Sequence, residues 1–276
     1  MVRYSKLPFR MLVRKYSVDV AFTPMIYAKD FVASDKCRSV EFTTCAGDKP
    51  TIAQFAANES EEFAVAAMYC QGVDLNCGCP QRHVMKEGYG SSLLTDPVQI
   101  ADIVATARRR VTKPNFTVKI YYSENDRKTC RRAESAGASF ITVHGRTPEQ
   151  RSELPNYETI KLIKSTLSIP VIANGNIKSY EQALEVARYT QVDGIMSASG
   201  LLENPALFAG YSTTPKCCIL DWARGFIFLS VEHGCPFDLF HQQLIFMLRS
   251  SLSSSEKIIF NGLSSHSANS LEIISF

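Results

Sequence analysis

The stretch Asp74-Leu75-Asn76-Cys77-Gly78-Cys79-Pro80, continuing through His83-Val84 to Gly88-Tyr89-Gly90, sets a carboxamide and a thiol on one tight turn directly after a short apolar run. A strand ending in Asn-x-Gly-Cys-Pro holds a polar side chain and a sulfhydryl side by side. Its glycine admits a flat group close to the backbone and its proline stops the strand. This is an arrangement for a reaction site; the alternative reading of Cys79 is a buried, inert thiol. Cys77, two residues earlier and on the other face of the strand, is read as packing. No metal site is expected, because Cys77-x-Cys79 has no second Cys or His pair at zinc-ligand spacing. Further polar residues lie at or just past the ends of β-rich runs: Gln54, Lys119, His144, Asn174 and the Ala198-Ser199-Gly200 turn. Seen alone, Lys119 also suits an edge strand and His144 a satisfied core position.

The elements that must position these residues follow one grammar: a β-rich run, a polar loop, an amphipathic helix. The expected strands cover 20–25, 51–56, 72–76, 116–120, 140–144, 170–174 and 194–198, with helices at 97–110, 127–136, 157–166 and 179–189 between them. Runs apolar enough to be buried on both faces predict an all-parallel sheet covered by helices. Polar tips contributed by six different strands favour a (β/α)8 barrel, whose chemistry gathers on the face at the strands' carboxyl ends, over an open sheet with one crevice. The first helix, Lys6 to Tyr16, begins almost at Met1, so the first strand is expected to be truncated to Met1-Val2. After Phe208 the strand grammar ends, and helices are expected over 221–231 and 236–248 with a frayed tail. The expected division is a barrel over 1–210 and a small all-helical domain over 211–276.

The chain has 276 residues and 45% apolar content, enough for a large core. No apolar run of about 18 residues predicts a membrane span. Nine cysteines without a signal-peptide pattern predict reduced thiols and an intracellular, cytoplasmic setting, with the nucleus as the alternative. A net charge of +3 says little about partners. Basic clusters at Arg108-Arg109-Arg110, Arg127-Lys128 and Arg131-Arg132 read as solvated helix faces unless they line a site for a polyanion.

Asn76-x-Gly78-Cys79-Pro80 with Gly90-Ser91, and then Val143-His144-Gly145-Arg146-Thr147, Ala173-Asn174-Gly175-Asn176-Ile177 and Gly200-Leu201-Leu202-x-Asn204-Pro205 in order, resemble the tRNA-dihydrouridine synthases. Ser5 to Arg10 resembles the family's first loop and helix, and Phe55-Ala56-Ala57-Asn58 with Gln81-Arg82 is similar to the eukaryotic synthase 4 branch. The resemblance covers essentially the whole chain. It implies an enzyme that uses FMN, with NADPH as reductant, to convert uridine to 5,6-dihydrouridine in the tRNA D-loop, at positions 20a/20b. Cys79 is then the proton donor to C5; a thiol with the reference pKa of about 8.5 is mostly protonated at neutral pH. Asn76 is implied to read the flipped base. Met1, Val2, Gln54, Lys119, His144, Asn174, Gly175, Asn176, Ala198 and Ser199 are implied to hold FMN, the last several around its phosphate. The basic clusters and the helical domain would meet tRNA; no protein partner is expected. Two departures stand out. Ser199 replaces the family's arginine, and the first strand is cut short. Tyr121 also stands where the family favours arginine. The alternatives are a catalytically impaired, truncated isoform that only binds tRNA, and a barrel flavoenzyme acting on free pyrimidines.

Overall fold

The structure, a computed structural model, describes residues 3–112, 115–121, 126–150, 152–210 and 216–275. Its strands are β1 (Ala21–Phe22), β2 (Ile26–Tyr27), β3 (Thr51–Ala56), β4 (Gly72–Cys77), β5 (Asn115–Tyr121), β6 (Phe140–His144), β7 (Val171–Asn174) and β8 (Gly194–Met196). The helices are α1 (Leu7–Arg14), α2 (Ala28–Ala33), α3 (Asp35–Glu41), α4 (Ser60–Ala67), α5 (Arg82–Lys86), α6 (Pro97–Arg110), α7 (Asp126–Ser135) and α8 (Tyr157–Thr166). They continue with α9 (Tyr180–Thr190), α10 (Ser199–Glu203), α11 (Lys216–His233), α12 (Phe237–Leu248), α13 (Ser254–Asn261) and α14 (His266–Ser275). Every strand pairing is parallel, in the order β1-β3-β4-β5-β6-β7-β8, with β2 also on β3.

The sheet is therefore a parallel α/β barrel with one strand position open: among the described residues β8 and β1 do not pair with each other. Met1 and Val2, expected as the remnant of the first strand, lie outside the described residues. The single strand expected over 20–25 is split in two. Pro24 has no N–H for a ladder, and the Thr23 hydroxyl takes the bond there, accepting from the Gln54 backbone N–H at 3.0 Å. Strand ends differ from expectation by a residue or two elsewhere, and β8 is half-buried because it borders the opening.

Helix starts follow local chemistry. Asp96 caps α6 by accepting from the N–H groups of Val98 and Gln99, with Pro97 at the first turn. Asn156 and Ser179 cap α8 and α9 in the same way. Alternation along the strands separates two environments. Val73, Leu75, Phe116, Val118, Ile141, Val143 and Val171 are fully buried under the helices. The residues between them, Asp74, Asn76, Thr117, Lys119 and Thr142, turn to the barrel interior, which is polar over this stretch.

Helix α11 packs on α1 and α12 on α10, and apolar residues from both sides form one continuous core that includes Leu12, Trp222, Phe226 and Leu244. Two further helices follow: Ser253 and Glu256 form a capping box for α13, and α14 runs to Ser275, over the last residues expected to fray. In α14, Ile273 is buried and the Asn269 side chain bonds the His241 ring nitrogen at 2.8 Å.

Candidate active site

Cys79 sits on a loop held from both sides. Asn76 Oδ1 accepts from the backbone N–H of Gly78 at 3.0 Å and of Cys79 at 2.9 Å. The Cys79 carbonyl accepts from the Ser91 N–H and hydroxyl, both at 3.1 Å. Gly90 is required for that second clamp. Its φ is +63°, and a side chain there would meet the Cys79 carbonyl oxygen at 2.5 Å. The thiol lies among Met25, Ala56, Val84, Tyr89 and Tyr27, an apolar wall that the sequence did not single out.

The flat group that approaches Gly78 is part of the protein. A Cβ on Gly78 would come within 2.5 Å of the Tyr121 ring. That ring stacks on His144 with centroids 4.3 Å apart, and the Lys119 ammonium lies 5.2 Å from the Tyr121 centroid.

Beneath the loop lies a buried polar group centred on Asp74, which sequence reasoning missed. Asp74 accepts from the Thr117 hydroxyl at 2.6 Å and from Gln54 Nε2 at 2.8 Å. Gln54 Oε1 accepts from Asn76 Nδ2 at 2.9 Å. Burial pushes the Asp74 carboxyl up to about 6, against the opposing pull of the Thr117 and Gln54 bonds and the Lys119 charge. Lys119, half-buried where it lines the cavity, is pushed down to about 8 by burial, with Asp74 resisting. Both values favour the charged forms at neutral pH. His144 is pushed down to about 3 by burial and by the Lys119 and Arg146 charges, so its imidazole is neutral there. The sequence signal for Asp74 was its place two residues before Asn76, which puts both on the same face of one strand.

One cavity of about 940 Å³ brings together Cys79, Asn76, Gln54, Lys119, His144, Asn174, Gly175, Asn176, Ala198 and Ser199. It continues from the carboxyl ends of the strands along the unfilled strand position to Ala187 and to Asp19 and Asp193, at the amino ends of β1 and β8. The 175–177 and 197–200 turns are tied by the Ser197 hydroxyl to the Ile177 carbonyl at 2.7 Å, and Asn174 Nδ2 donates to the Met196 carbonyl. Gly175 and Asn176 both have positive φ, +131° and +53°. Ser199 opens α10 and is exposed. Asn76 has its acceptor engaged by the Cys79 loop and one N–H by Gln54, leaving one N–H. His144 Nδ1 and Thr142 Oγ1 are buried with no hydrogen-bond partner among the described residues. These orphaned polar atoms, beside the half-buried Lys119 cation, suit a polar ring system with acceptor and donor edges; a site for an apolar ligand would leave them uncompensated.

The three basic clusters separate. Arg108, Arg109 and Arg110 end α6 on the far side of the barrel from the site, where Arg110 pairs with Glu61 and Arg109 bonds Thr106. Arg127, Lys128, Arg131 and Arg132 instead line a second concavity of about 420 Å³ on α7. Among the described residues none of these four has a carboxylate partner. Helix α7 follows β5, so its first turn lies on the same face as the cavity mouth.

Comparison with known proteins matches residues 1–222 to the dihydrouridine synthase (Dus) family model. A tRNA-dihydrouridine(20a/20b) synthase NAD(P)+-like protein of Mus musculus is 50% identical over 277 residues, covering 97% of this chain and 84% of that protein. The tRNA-dihydrouridine(20a/20b) synthase of Schizosaccharomyces pombe is 41% identical, over 94% of this chain and 80% of that protein. Among solved structures, a chain of the Amycolatopsis orientalis BexX/CysO complex covers 85% of this chain and 90% of its own length, with a TM-score of 0.51 and 18% identity, a likeness of fold alone.

Proposed function

The chain belongs to the dihydrouridine synthase family, and from that premise we propose that it reduces uridine to 5,6-dihydrouridine in tRNA, at positions 20a and 20b, with FMN as bound cofactor and NADPH as the reductant. The observation that carries this reading is the clamped Cys79 loop at the rim of a cavity that also holds Lys119, His144 and Asn174. FMN, when bound, supplies the hydride for C6 of the uracil ring. Cys79 Sγ holds the proton that goes to C5, and the apolar wall around it keeps water from competing. Lys119 presents positive charge to the cofactor's electron-rich edge, and neutral His144 offers Nδ1 to a polar ring atom. Gln54 and Asn174 would complete that cradle, and Gly175, Asn176, Ala198 and Ser199 would hold the phosphate. A single Ser199 hydroxyl in place of a guanidinium weakens FMN binding by about 1.5–3 kcal/mol, one to two decades in Kd. Asn76 spends most of its capacity on the Cys79 loop and has one N–H left for the base.

We assign the barrel to 1–210 and a tRNA-binding helical unit to 211–276, acting inside the cell. The test is a visible flavin spectrum after titration with FMN, followed by dihydrouridine formation on unmodified tRNA and not on free uracil. A colourless protein that still shifts tRNA overturns the enzymatic reading in favour of a binding-only chain; turnover of free uracil overturns the tRNA assignment.

The α7 surface adds a tRNA contact. Arg127/Arg131 and Lys128/Arg132 are like charges at i,i+4, each costing the helix a few tenths of a kcal/mol, which a polyanion offsets. Replacing Arg127 and Arg131 by alanine is expected to weaken tRNA binding and to flatten the dependence of log Kd on log salt by about 1 per phosphate contact removed. Binding titrations at several salt concentrations check this; an unchanged slope rules the contact out.

A further inference from the structure

The interior hydrogen bonds have a direction, and one carboxylate sets it. Ionised Asp74 can only accept, so Gln54 must turn its NH2 toward it, at 2.8 Å. The Gln54 carbonyl then faces the other way and accepts from Asn76 Nδ2 at 2.9 Å. With its NH2 so engaged, Asn76 presents Oδ1 to the N–H groups of Gly78 and Cys79 at 3.0 and 2.9 Å. A primary amide has donors at one end and an acceptor at the other, so each orientation fixes the next. If Gln54 and Asn76 were both reversed, NH2 would face N–H at the catalytic loop.

We propose that Asp74 is a positioning residue, acting on Cys79 without touching it by fixing the orientation of Gln54 and, through Gln54, of Asn76. Asp74 is fully buried, which keeps water from substituting for its link to Gln54. Thr117 holds the other carboxylate oxygen at 2.6 Å and keeps Oδ2 aimed at Gln54. Only the consequence for turnover rests on Cys79 being the proton donor; the relay itself does not.

Charge alone offers a competing role for Asp74, as the counter-charge of Lys119. The two roles part on conservative variants. Asp74→Asn removes the charge but keeps an oxygen for Gln54 Nε2. Asp74→Leu removes both. Gln54→Met leaves Asp74 and its charge intact and cuts the relay in the middle. The measurement is hydrogen exchange at the amides of Gly78 and Cys79, read by NMR in protein labelled with 15N-glycine and 15N-cysteine.

The relay predicts wild-type protection in Asp74→Asn and at least about ten-fold faster exchange at both amides in Asp74→Leu and Gln54→Met. The Gly137 and Gly225 amides, remote from the relay, should be unchanged. Unaltered exchange at Gly78 and Cys79 in Gln54→Met overturns the proposal. So does Asp74→Asn exchanging as fast as Asp74→Leu, which assigns Asp74 to Lys119 instead. If Asp74→Leu does not fold, Gln54→Met carries the test. Loosened amides with full dihydrouridine turnover would leave the relay standing and remove Cys79 as the acid.

Discussion

Replacing Cys79 by alanine is expected to lower dihydrouridine formation by about 10²–10⁴-fold, the span that a positioned acid contributes, with the flavin spectrum and tRNA binding retained. The retention follows from the way the loop is held. Its bonds run to the backbone of Gly78 and Cys79, through Asn76 and Ser91, and alanine keeps every one of them. The loss is confined to the sulfur. Cys79→Ser should fall in the same range, because a hydroxyl is a far weaker acid than a thiol in this apolar surround. Single-turnover assays with pre-reduced enzyme isolate the step. A Cys79→Ala variant with undiminished turnover would remove the proposed donor.

Arg10→Ala is expected to cost about 3–5 kcal/mol of folding stability, the range for breaking a buried ion pair from one side. Arg10 is 1% exposed, as is Asp48. Its Nε and Nη2 donate to Asp48 Oδ2 at 2.9 and 2.7 Å, Nη1 to the Ser5 carbonyl, and Nη2 also to the Thr43 carbonyl. Arg14 holds the other Asp48 oxygen and reaches the Pro50 carbonyl and the Thr51 hydroxyl. Together they fasten α1 to the start of β3, beside the unfilled strand position. Burial alone would raise the Asp48 pKa, but the Arg10 and Arg14 bonds outweigh it and hold the carboxyl below its usual 3.8. That stabilisation is present above the unfolded pKa and is lost as pH falls through the lower folded value. In the variant the Arg10 share of that lowering is gone, so the stability gap is widest near neutrality and narrows as pH falls through the carboxylate range. Urea denaturation across that range checks both size and sign; a gap independent of pH would assign the loss to packing of the Arg10 stem.

How much of this was legible depended on distance along the chain. Phe140-Ile141-Thr142-Val143-His144 reads as a strand ending in a polar tip because β-branched runs and their ends are local signals. Pro24 was visible, yet the split it causes rests on the Thr23 hydroxyl meeting the amide of Gln54, 31 residues away. Asp74 stands inside the motif, yet its role is not local, since its partners Gln54 and Thr117 lie 20 and 43 residues off. Asn76 looked free to meet a base, and only the folded loop shows its oxygen already occupied. The separation of the basic clusters was equally hidden. Arg110 and Arg127 look alike in sequence, but one has a glutamate across a helix interface and the other has none among the described residues.

The cavity runs from Cys79 at one end to Asp19, Ala187 and Asp193 at the other, so it is a corridor with two doors. An RNA seated over the catalytic rim shuts only the first. The second stays in contact with bulk solvent, flanked by strands of two and three residues. Dielectric screening thus enters from behind the Lys119 charge, whose field inside the cavity is strongest when the rear door is also shut.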